Sequence, residues 1–192
     1  MNNINVVSSS CVGGYIMRDF LKIEYINPFV WSYIPFEDFF NLIKYWDEIN
    51  FRNFTVEAIG NNPSNGYKTV IDNKVNVYWH HYKYDENVLD EPKIVNVNVL
   101  YYKIDEYIKK KYEERVERML KSKIDPIFIF GDSFKRCGKN VFNEIRKKEL
   151  LNIQSKYKII CLDSEKYKIY ESNFNLSKIA FAELSKIIEK TK

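Results

Sequence analysis

The chain has 192 residues, a formal net charge of +4, 45% hydrophobic and 16% aromatic residues, which excludes disorder as its main state. No apolar run approaches the roughly 20 residues a membrane-spanning helix needs. Only six of the 30 basic residues are arginine, the residue that most often reads bases, so lysine richness is no signature of specific nucleic-acid binding.

Ile4 to Ser8 reads as a short buried strand, broken by Ser-Ser-Ser-Cys-Val-Gly-Gly, with a helix over Tyr15 to Leu21. Asn27-Pro28-Phe29-Val30-Trp31 reads as extended, because proline restricts the residue before it. Pro35 suits the first turn of a helix running to about Asn50, with Glu37 and Asp38 near its positive end. Phe36, Phe39, Phe40, Ile43 and Trp46 give that helix an apolar face. Phe54 to Gly60 reads as a strand, and Asn61 to Gly66 as a loop. Tyr67 to Ile71 and Lys74 to Tyr82 form a hairpin turning at Asp72-Asn73. The Val/Asn alternation from Ile94 to Leu100 suggests a strand or extended arm, and Ile104, Ile108, Tyr112, Val116 and Leu120 mark a helix. Ile127 to Phe130 and Lys158 to Leu162 are apolar strands, residues 138–150 are helical, and Asn175 caps a last helix over 176–190. Strand–helix alternation in the second half predicts parallel pairing, and the hairpin predicts antiparallel pairing. The expectation is a single α/β domain over residues 1–192, with a mixed sheet flanked by helices.

Charge is uneven: net −4 over residues 1–100 and +8 over 101–192. A basic half can attract anionic polymers or a membrane surface weakly, or be a set of solvated helix faces. The three cysteines, Cys11, Cys137 and Cys161, are odd in number and widely spaced, which argues against a disulfide framework or zinc site. The start lacks the pattern of a signal peptide, so a cytoplasmic location is expected. Val12-Gly13-Gly14 is neither a Walker A loop nor GxGxxG, and no cofactor or metal is expected.

Cys11 sits between a strand and a helix. A thiol there gains from free N–H groups, which lower its pKa and can hold an oxyanion, and Gly13 and Gly14 let a substrate approach. Many inert cysteines share this setting. The only histidines are His80 and His81. His81 shares a strand face with Val75, Val77 and Trp79, as either a core residue or a cleft base, while neighbouring His80 points the other way. Asp132 follows the apolar strand, at the strand end where parallel sheets bind ligands, and can orient an imidazole or cap the next helix. Arg115 falls inside the apolar stripe of the 104–120 helix and Arg118 at its edge. Arg115 must find a charged or carbonyl partner, structural or on a ligand, while Lys110 and Glu113 stay exposed.

Val6 to Tyr15, with Ser8-Ser9-Ser10-Cys11-Val12-Gly13-Gly14, resembles the opening of an uncharacterised bacterial family whose members are often labelled exopolysaccharide biosynthesis proteins. That opening reads Ser-Asn-Asn-Cys-Trp-Gly-Gly in the family. The resemblance continues in order through Asn27-Pro28, Phe36-Glu37-Asp38-Phe39, the His81-Tyr82 pair and Arg115-Val116-Glu117-Arg118, covering about residues 4–135. The same features are similar to papain-like cysteine peptidases, which implies Cys11 as nucleophile and His81 as base. Departures are Ser9-Ser10 for Asn-Asn, and Val12 and Tyr112 for Trp, which put the substrate and the activity in question. The resulting expectation is a cysteine-dependent acyltransferase or hydrolase of cell-surface polysaccharide metabolism, acting on a small-molecule or saccharide substrate. Catalytic residues would be Cys11, His81 and Asp132, and substrate-binding residues Gly13, Gly14, Trp31, Arg115 and Arg118. The alternative is a non-catalytic or glycosyltransferase-associated sugar-binding factor.

Overall fold

The structure is a computed structural model that describes residues 4–23, 27–59, 66–79, 97–130, 149, 152–153, 156–162 and 173–189. It is α/β. Parallel and antiparallel strands are sorted into two sheets. The strands β1 (Asn5–Ser8), β6 (Pro126–Phe130) and β7 (Lys158–Cys161) form a parallel sheet in the order β1-β6-β7. The strands β2 (Ser32–Tyr33), β3 (Phe54–Ala58), β4 (Tyr67–Ile71) and β5 (Val75–Trp79) form an antiparallel sheet in the order β2-β5-β4-β3. The helices are α1 (Val12–Tyr15), continued as a π-helical stretch Ile16–Leu21, then α2 (Phe36–Lys44), α3 (Val97–Ser122) and α4 (Asn173–Glu189). Among the described residues, no helix is long and apolar enough to cross a membrane.

The parallel sheet is buried on both faces, which is why β6 reads Pro-Ile-Phe-Ile-Phe without alternation. On one face Val6, Ile129 and Ile160 meet Val12, Ile16 and Met17 of the first helical segment and Leu176, Ala180 and Leu184 of α4. On the other, Val7, Phe128 and Phe130 join Phe36, Phe39 and Phe40 of α2, Tyr112, Val116 and Met119 of α3, and Ile71, Val75 and Val77 of the antiparallel sheet. One aromatic-rich cluster therefore joins the two sheets. The antiparallel sheet alternates as a half-solvated sheet should: Tyr67, Thr69 and Ile71 are buried, Lys68 and Val70 are not.

The β4–β5 turn falls where expected. Asp72 and Asn73 both take positive φ (49° and 52°), and the Lys74 N–H donates to the Ile71 carbonyl at 2.9 Å, the type I′ geometry that asparagine and aspartate tolerate. Other expectations need correction. Val97 to Leu100 is the first turn of α3, not a strand or arm, so the continuing helix overrides the Val/Asn alternation. The α2 helix stops at Lys44 and a turn carries Tyr45 and Trp46, with Trp46 still packed on the core. Pro35 is the residue before the helix, not inside it, with ψ 152°. Asn175 lies within α4, which starts at Asn173 and so is not capped by Asn175. Residues 27–31 form a turn, not an extended segment. Of the expected helix at 138–150 only Glu149 is described, and it is helical; the expected loop at 61–66 lies outside the described residues but for Gly66.

Asp38, in the first turn of α2, accepts hydrogen bonds from the backbone N–H and the side-chain amide of Asn76, both at 2.8 Å. Burial outweighs these bonds and raises the Asp38 pKa. A raised folded-state pKa means the folded chain binds the proton more tightly. Asp38 should therefore cost stability as pH rises from its unfolded pKa through its folded one. The Asp38→Asn variant is expected to flatten that decline in urea-unfolding free energy across the carboxylate range; an unchanged slope would exclude Asp38 as its source.

Candidate functional site

Among the described residues β1 is an edge strand, and a buried side chain bonds to its open side. The Asn27 amide donates to the Asn5 Oδ1 (2.8 Å) and to the Val6 carbonyl (2.7 Å), while its own Oδ1 accepts from the Phe29 N–H (2.9 Å). Asn27 is fully buried. It thus ties the 27–31 turn to the strand that leads to Cys11. Beyond β1, the Ser9 N–H donates to the Ile129 carbonyl (3.1 Å) and the Ser9 carbonyl accepts from the Ile34 N–H (3.0 Å). Ser9 therefore joins the end of the parallel sheet to the segment that runs on from β2.

Cys11 is a half-buried thiol, not half of a disulfide, at the entry to α1. Its carbonyl accepts from the Tyr15 N–H (3.2 Å), which closes one α-helical turn. The helical segment expected over Tyr15 to Leu21 begins earlier, at Val12, and widens to a π-helix from Ile16, ending at Lys22 with φ 54°. The N–H groups of Val12 and Gly13, those nearest Cys11 at the head of the helix, have partners of their own. The Val12 N–H donates to Ser10 Oγ and the Gly13 N–H to the Ser10 carbonyl, both at a long 3.4 Å.

The glycines differ in what they permit. A Cβ on Gly13 would stand 2.9 Å from the Ser8 Cβ, so this position lets α1 pack on β1. A Cβ on Gly14 would stand 2.4 Å from a ring atom of Trp31, so this position seats the indole. Trp31 has φ 62°, a left-handed conformation that is an outlier for a bulky residue. Tyr15 meets the indole edge-on, with centroids 5.0 Å apart. The Arg18 guanidinium lies 4.9 Å from the Trp31 centroid and 5.2 Å from that of Tyr15. Arg18 also grips Asp19 with two bonds, of 2.7 and 2.9 Å, which holds the Asp19 carboxyl below its usual pKa. Tyr15 and Arg18 were not singled out from sequence. The signal was there, since positions 11, 14, 15 and 18 follow the i, i+3, i+4, i+7 spacing of one helix face.

Arg115 is half-buried, and its Nη1 donates to the Val30 carbonyl at 3.4 Å, beneath the turn that carries Trp31. Lys110 and Glu113 are exposed, as the helical periodicity predicts. Arg118 is exposed and pairs with Glu114 at 3.9 Å. His80, His81, Asp132 and Cys137 lie outside the described residues. The last described residue before the histidines, Trp79, pairs with Ser32, the neighbour of Trp31. Val75 and Val77, on the strand face to which His81 was assigned, are buried in the core. Asp132 follows Phe130, the last residue of β6, whose penultimate residue Ile129 pairs with Ser8. Among the described residues, no group of three or more His, Cys, Asp or Glu stands where it could hold a metal ion.

No curated protein and no solved structure matched the chain. A family model did, over residues 1–191, and its description is Domain of unknown function (DUF1919). With the match running along essentially its whole length, this chain belongs to that family.

Proposed function

We propose that this protein is a cysteine-dependent acyltransferase or hydrolase of cell-surface polysaccharide metabolism, with Cys11 as the nucleophile, His81 as its base and Asp132 as the group that orients the imidazole. The observation that carries this reading is the position of Cys11. It is a half-buried thiol just past the carboxyl end of a parallel strand, where open sheets bind ligands. Support comes from the β2–β5 pairing, since the strand leading to His81 runs beside the turn bearing Trp31. The polysaccharide assignment rests on the motif order from Ser8 to Arg118.

In this reading the thiol proton passes to His81, and the sulfur bonds to the acyl carbonyl carbon. The carbon–oxygen bond to the leaving alcohol then breaks, and His81 returns the proton to the departing oxygen. A water or a sugar hydroxyl takes the acyl group from sulfur by the reverse steps. Stabilising the oxyanion requires the long Ser10 bonds to give way. That occupancy is what favours the second reading, a non-catalytic sugar-binding factor.

Brief iodoacetamide labelling with peptide mapping at graded pH separates the two. A catalytic Cys11 should be the fastest-labelled of the three cysteines, with its half-maximal rate well below about pH 8. His81→Gln should move that midpoint upward. Preferential labelling of Cys137, or an ordinary thiol midpoint for Cys11, would overturn the enzyme reading.

A further inference from the structure

We draw no further inference here: the strongest candidate, the row of Tyr33, Tyr78, Lys68 and Glu57 that runs from strand to strand across one face of the antiparallel sheet, with the two rings 6.2 Å apart and Lys68 paired to Glu57 at 3.1 Å, carries nothing because no observation in the structure shows what covers that face.

Discussion

Phe39→Ala should be among the most damaging single substitutions in this chain, lowering the urea-unfolding free energy by about 3–5 kcal/mol. Phe39 is fully buried, and its ring meets Phe130 at 4.7 Å and Phe128 at 6.1 Å, both close to edge-on. It therefore plants α2 on the parallel sheet, while the same cluster carries Ile71, Val75 and Val77 of the antiparallel one. Truncation removes a ring from the seam between the two sheets, and neither can follow the other inward without breaking its own register. At roughly 2–4 °C per kcal/mol for a chain of this size, the melting temperature should fall by about 6–20 °C. A loss under about 1 kcal/mol would mean that the seam can collapse around the missing ring.

Asn27→Asp is expected to be nearly as costly, by about 3 kcal/mol at neutral pH, although it changes one atom type and no volume. The wild-type amide donates twice, to the Asn5 Oδ1 and the Val6 carbonyl. A carboxylate has no proton to give, so it would face two acceptors and leave both unsatisfied in a fully buried place. Protonating the new carboxyl restores one donor. Its folded-state pKa would be raised by burial and by the facing oxygens, so the deficit should shrink as pH falls through that value. Unfolding curves at pH 7 and pH 4.5 check this. A deficit independent of pH would show that the turn, not the donor pair, is what Asn27 supplies.

The parts of the fold that could be read from sequence are those governed by neighbours along the chain. Asp72-Asn73 sets its own turn because both residues tolerate positive φ. The spacing of Ile108, Tyr112 and Val116 puts Arg115 in the apolar stripe, mostly buried with a charged or carbonyl partner; it has the Val30 carbonyl but is only half-buried. The 27–31 turn could not be read from sequence. The proline rule speaks only of residue 27, whereas the turn is shaped by Asn27 reaching β1 and by Trp31 finding Gly14, contacts that lie 17–22 positions away in the chain. The division into two sheets was equally hidden, because strand periodicity says which face is apolar and not which strand is the neighbour. At the candidate site, the Cys11 setting was legible. The occupation of the Val12 and Gly13 N–H groups by Ser10 was not, since it depends on how the short turn closes.

The pairing of β1 with β6 matches Asn5 to Pro126 and Ser8 to Ile129. During synthesis the first strand thus waits for some 120 further residues before its strand partner among the described residues exists. The antiparallel hairpin, with Tyr67 to Ile71 against Val75 to Trp79, has no such delay. Contacts so distant in sequence form slowly, because the intervening chain must be ordered first. The segment that bears Cys11 is made first and secured last. A nascent chain halted before Pro126 would hold a hairpin and a Cys11 turn without β6 beside β1, so the surroundings of this thiol are complete only once β6 has been made.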